Sequence, residues 1–141
     1  GDNNGTLVDD LWKFDGSDWK QLRDIANNDS DEDYDDDYAI TRAGTVSFVI
    51  DGRGYIATGT RSGVTSDYWV YDPEEDLWYG DSDDDYTPMT NVHNVSSGGS
   101  SRSYAVSFST GKRGFVLSGS SGTSYFDDVY ELLPYEQEDV D

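Results

Sequence analysis

The sequence predicts an all-β fold built from a repeated four-stranded unit, and three observations predict it. Aromatic residues, 4 Trp, 11 Tyr and 5 Phe, make up 14% of the chain, and aromatic side chains favour the half-buried surface of a pleated sheet. No segment carries an apolar helical period flanked by capping residues. The stretch 42–59 recurs at 102–119, sixty residues later and without a gap. Val46, Ser47 and Phe48 meet Val106, Ser107 and Phe108, Arg53-Gly54 meets Arg113-Gly114, and Gly59 meets Gly119. Repeats of this length signal an architecture of stacked identical units.

Each repeat reads as four short strands. Strand a covers 45–50 or 104–109, where Val46/Phe48 and Val106/Phe108 alternate with serine. Strand b covers 54–58 or 114–118. The link between them, Asp51-Gly52-Arg53-Gly54 or Gly111-Lys112-Arg113-Gly114, is rich in glycine and suits a hairpin turn. Strand c covers 68–71 or 129–132. The run Asp67-Tyr68-Trp69-Val70-Tyr71-Asp72-Pro73 matches Asp128-Val129-Tyr130-Glu131-Leu132-Leu133-Pro134 after a one-residue insertion. It also matches Asp10-Leu11-Trp12-Lys13-Phe14-Asp15, so a third strand c lies at 11–14. Strand d covers 77–79 or 19–22. The alternation predicts that Val46, Phe48, Ile56, Trp69, Val106, Phe108 and Val116 are buried.

On these residues the chain resembles the Kelch-repeat β-propeller family, in the variant of secreted and surface proteins of Bacteroidetes-type bacteria. The apolar strand a, the glycine-ended strand b (Thr58-Gly59, Ser118-Gly119) and the aromatic pair Tyr71 and Trp78 carry the resemblance. The family's double glycine is replaced here by Thr-Gly or Ser-Gly. The resemblance implies blades of four antiparallel strands, about two and a half of them, which do not close a ring alone. Residues 1–22 form a partial blade of strands c and d, 42–80 a full blade, and 102–135 a blade without a clear last strand. That last strand is expected near Glu138. An acidic connection, 23–41, and an acidic, Gly/Ser-rich one, 81–101, join the blades, and 136–141 is an acidic tail.

Composition narrows the function. The chain has 141 residues, with 9 Lys and Arg against 30 Asp and Glu, a formal net charge of −21. That charge disfavours nucleic acid, whose phosphates demand a basic surface. No apolar run reaches the length of a membrane helix, so membrane insertion is not expected. With no Cys and only His93, thiolate chemistry and a multi-His metal centre are excluded within the described sequence. A hydrophobic fraction of 34% is low for a folded domain. The aromatics compensate, because each buries a large area.

Few residues carry candidate chemistry. Asp29, Asp31, Asp33, Asp35 and Asp37 form one acidic run, and Asp81, Asp83 and Asp85 a second. Two readings stand: solvated loops that keep the protein soluble, or a site for Ca²⁺, which gathers carboxylate oxygens. No other cofactor is indicated. Arg42 and Arg102 open strand a at equal positions, which suits a structural ion pair with a nearby acidic loop, or else the binding of a ligand carboxylate. Asn4, Asn28 and Asn94 begin Asn-X-Ser/Thr triplets, the acceptor pattern for N-glycosylation. Trp12, Trp19, Trp69 and Trp78 recur at repeat positions and are expected between blades, a sugar-stacking platform being the second reading, with Phe48 and Phe108 in the core. His93 reads as a loop residue.

No catalytic constellation is present in the sequence, so the chain is read as a non-catalytic structural or interaction module, extracellular or on the cell surface. Its expected partners are copies of itself or a neighbouring protein segment, met through open blade edges, with a ring or filament as the product. A cation-dependent carbohydrate- or protein-binding module is the second reading. A fragment of a larger propeller, enzymes included, is the third.

Overall fold

The computed structural model describes residues 1–22, 24–25, 40–80, 90–91 and 100–132, with backbone alone at 90 and 91. Every regular element among them is a strand. In chain order these are β1 (Asp2–Asn3), β2 (Thr6–Leu7), β3 (Trp12–Phe14), β4 (Trp19–Gln21), β5 (Val46–Ile50) and β6 (Arg53–Ala57). They continue as β7 (Tyr68–Asp72), β8 (Leu77–Gly80), β9 (Thr90–Asn91), β10 (Val106–Ser109), β11 (Gly114–Leu117) and β12 (Val129–Leu132). All named pairs are antiparallel. β5-β6-β7-β8 form one four-stranded sheet and β10-β11-β12-β9 another, while β1-β2 and β3-β4 are two-stranded hairpins.

The sequence repeat reappears as a repeat of register. Phe48 lies opposite Tyr55 on β5-β6, and Phe108 lies opposite Phe115 on β10-β11. Both ring pairs stack, at 5.5 Å and 4.5 Å between centroids. Asp51 (φ 48°) and Gly52 (φ 79°) turn the β5-β6 hairpin. Two successive positive φ values match the right-handed twist of the strands they join.

The second sheet departs from expectation in its fourth strand. β9, from the segment preceding strand a, pairs with β12. Tyr130 faces Asn91 and Glu131 faces Thr90 across that pairing. The sheet is thus completed from its N-terminal side. The strand expected near Glu138 lies outside the described residues.

The core sits between the two four-stranded sheets. β5 buries Val46, Phe48 and Ile50 and exposes Ser47 and Val49, the two-residue period of a strand with one covered face. With Tyr55, Ala57, Tyr68 and Val70, these residues meet Val116, Tyr130 and Leu132 of the second sheet. Gly114 sits at the tightest point, where a Cβ atom would overlap the Phe48 ring. Backbone bonds seal the seam. The Asp51 N–H donates to the Gly111 carbonyl at 2.9 Å, and the Gly59 N–H to the Arg102 carbonyl at 2.7 Å. The Arg102 N–H donates in turn to the Thr65 carbonyl at 2.9 Å.

Burial follows this seam rather than the strand pattern alone. Val46, Phe48 and Val116 are buried, as the alternation predicts. Ile56 and Trp69 are half-buried. Val106 and Phe108, predicted to be buried, are 60% and 50% exposed. They occupy the same repeat positions as Val46 and Phe48. The difference is that their face of the second sheet has no further sheet against it among the described residues.

Candidate functional site

Two arginines anchor the repeats from within. Arg42 and Arg102 are 2% and 1% exposed. Arg42 grips Asp67 with both Nη atoms, at 2.8 Å and 2.9 Å, and donates from Nε to the Ile40 carbonyl at 2.9 Å. Arg102 grips Asp128 in the same forked geometry, and its Nε donates to the Ser100 carbonyl. Paired, forked bonds of this kind compensate a buried guanidinium. Burial pushes the Asp67 carboxyl up, but bonds from Arg42, Thr65 and Trp69 outweigh it and hold the group below its ordinary value. The Arg102 bond holds Asp128 below its ordinary value against a smaller burial effect.

The same arginines brace a strained backbone. Thr58 and Ser118 take φ of 59° and 58°, and the glycines that follow are positive as well. Left-handed backbone is costly for a β-branched residue. Arg42 donates from Nη1 to the Thr58 carbonyl at 3.0 Å, and Arg102 to that of Ser118 at 2.8 Å. Asp67 and Asp128 accept, through their main-chain carbonyls, bonds from the Thr58 and Ser118 N–H groups. Sequence reasoning singled out the arginines but expected the acidic loops, not Asp67 and Asp128, as their partners. Their signal was the Asp that precedes all three c strands, Asp10, Asp67 and Asp128.

Asp10 breaks the pattern. Trp12 donates its indole N–H to Asp10 at 2.6 Å, as Trp69 does to Asp67 at 3.2 Å. The β3-β4 hairpin therefore reproduces the c-d half of the repeat. No arginine pairs with Asp10 among the described residues. β3 likewise has only β4 as a described neighbour, whereas β7 lies between β6 and β8.

The described surface thus has apolar faces at both ends. At one end Trp12, Phe14 and Trp19 are 47%, 51% and 66% exposed, with the Phe14 and Trp19 rings 5.0 Å apart. Trp12 and Trp19 are therefore not buried between sheets among the described residues as the sequence suggested. At the other end lie Val106 and Phe108, 60% and 50% exposed, while Tyr104 and Tyr125 are still more exposed and share a cavity with Ser118 and Phe126. Trp78 is half-buried and packs at 5.0 Å from Tyr71, whose hydroxyl donates to Asp76. Asn4 is exposed at the tip of the β1-β2 hairpin. Asn28, Asn94, His93 and the acidic runs Asp29–Asp37 and Asp81–Asp85 lie outside the described residues. Among the described residues no group of three or more His, Cys, Asp or Glu is placed to hold a metal ion. No protein-family model and no curated protein matches the chain.

Proposed function

We propose that the two four-stranded sheets are consecutive propeller blades of Kelch-repeat type, and that the chain is a non-catalytic structural or interaction module that docks through its open blade faces. The observation that supports this most is the contrast between two equivalent phenylalanines. Phe48 is 7% exposed and Phe108 is 50% exposed, although their strands share one sequence pattern and one register. An apolar face left open at a position that the same repeat elsewhere covers is a face suited to a partner. The aromatic face of β3-β4 offers a counterpart at the opposite end. A second copy meeting Phe108 with Trp12, Phe14 and Trp19 makes a head-to-tail contact, which closes a ring or grows a filament according to its rotation.

The net charge of −21 opposes that contact, and salt weakens the opposition. Sedimentation of the chain over a range of concentrations and salt tests the reading. The expected result is association that rises with both, and that Phe108→Asp abolishes without altering the circular-dichroism spectrum. A monomer under all conditions would contradict it.

A further inference from the structure

The loop end of the second repeat carries two tyrosines that the first repeat lacks. Tyr104 stands where the first repeat has Gly44. Tyr125, bridged to Ser120, stands where Val64 is bridged to Thr60. Neither belongs to the core, since they are 79% and 92% exposed. Tyr104 is held there at a cost. Its φ is 54°, a left-handed backbone that its counterpart Gly44 (φ 61°) adopts freely and that is an outlier for a bulky side chain. Strain of this kind gathers at ligand sites. With Ser118, Gly119, Ser120 and Phe126, the two tyrosines line an open cavity of about 410 Å³. Backbone bonds tie its frame. Ser120 exchanges both of its bonds with Ser103, each at 2.9 Å, and the Phe126 N–H donates to the Gly119 carbonyl at 3.0 Å. The buried Arg102 guanidinium lies 4.4 Å from the centre of the Phe126 ring and underpins the floor.

We propose that this cavity binds a neutral oligosaccharide, and the chemistry of its lining selects that ligand. The C–H bonds of a pyranose form an apolar face that lies flat on an aromatic ring, while its hydroxyls point outward and need donors and acceptors at the edge. Tyr104 and Tyr125 offer the rings. Ser118, whose hydroxyl makes no hydrogen bond among the described residues, and Ser120, whose Oγ accepts the Gly122 N–H at 2.9 Å and keeps its own proton to donate, offer the edge. No charged side chain lines the cavity, although the chain carries a net charge of −21. An anionic ligand would meet no cation there and a repelling field, whereas a neutral one leaves no charge unpaired. The Ser103, Ser120 and Tyr125 segments lie side by side. Tyr104 and Tyr125 therefore stand on the outer two, about 10 Å apart by strand spacing, the reach of two linked sugar rings. The site lies at the loop end of the second sheet and not on its Val106-Phe108 face, so it stands apart from the docking reading above.

The probes are three neutral hexasaccharides, cellohexaose, mannohexaose and galactohexaose, and the anionic hexagalacturonate, each titrated into the full chain in a calorimeter. The expected result is saturable binding of at least one neutral sugar and none of the anionic one. Tyr125→Ala should weaken that binding about tenfold, the scale of one lost aromatic contact, and Phe108→Asp should leave it unchanged. Tyr104→Gly restores the residue of the first repeat. It should weaken the sugar to the same degree and raise the thermal midpoint by about 2–4 °C as the strain is released. A tyrosine kept only for packing would lower the midpoint on removal. No saturable binding of any neutral hexasaccharide, equal binding of hexagalacturonate, equal binding by Tyr125→Ala, or a lower midpoint for Tyr104→Gly overturns the proposal. So does a Tyr125→Ala variant that alters sedimentation and keeps the sugar, which marks the cavity as a contact between copies. Loss of the sugar site leaves the Phe108 face untouched, so the two readings fail separately.

Discussion

Thr58 is the residue whose cost is easiest to name. It holds a left-handed backbone, and its buried hydroxyl has no hydrogen-bond partner among the described residues. Glycine adopts that backbone without strain, at some loss from a more flexible unfolded chain. Thr58→Gly should therefore stabilise the fold by about 1 kcal/mol, read as a rise in the denaturation midpoint; a fall would mean that the threonine methyl contributes more than the strain costs. Asp67 supplies a pH dependence of defined sign. Its folded-state carboxyl is held below the ordinary value, so the native state binds fewer protons than the unfolded one across that interval. The stabilisation it gives is complete above the unfolded pKa and is lost as pH falls through the folded pKa. Asp128 acts in the same sense. Asp67→Asn should be less stable than the parent at neutral pH and should show a shallower loss on acidification. Parallel acid titrations of the two proteins check this. Both arginines were legible from their equal positions, whereas the strain at Thr58 was not. A Thr-Gly pair at a strand end does not reveal backbone angles, nor the bonds from Arg42 and to the Asp67 carbonyl that brace them.

At the scale of elements, strand positions were legible because alternation and glycine turns are local. The predicted strand c at 129–132 matches β12, and the other strands predicted within the described residues fall within one or two residues of those observed. Three features escaped, the first being the short β1-β2 hairpin. β9 is two residues long and carries no period, and it joins its sheet by a pairing distant in sequence. Which face of a strand is covered also escaped, since alternation marks a face without saying what lies on it. Phe48 and Phe108 separate these two kinds of information. Phe48→Ala removes a ring packed on the opposing sheet and should cost about 3–5 kcal/mol. Phe108→Ala removes a half-exposed ring and should cost less than half as much in dilute solution. Denaturant titration of both variants measures the difference. Equal losses would mean that the Phe108 face is covered by part of the same chain.

At the scale of the whole molecule, the described residues form a short array of repeats with one sealed seam and an uncovered sheet face at either end. Stability in such arrays comes largely from contacts between neighbours, so end units are less protected than inner ones. The repeat, the charge and the absence of Cys were all legible in the sequence. Which sheet face stays uncovered among the described residues was not legible, because the two repeats share one pattern. The chain contains no Cys, which makes single-thiol labelling the most direct test. Val46→Cys and Val106→Cys probe one repeat position on the sealed and the open face, 5% and 60% exposed. The account predicts that in dilute solution the thiol at position 106 reacts with a maleimide at least about tenfold faster than that at 46, whose access requires local opening. It also predicts that protein concentration and salt slow the reaction at 106 and leave 46 unchanged. Equal rates at the two positions, or a rate at 106 indifferent to concentration and salt, would contradict the claim that this face is open and made for a partner.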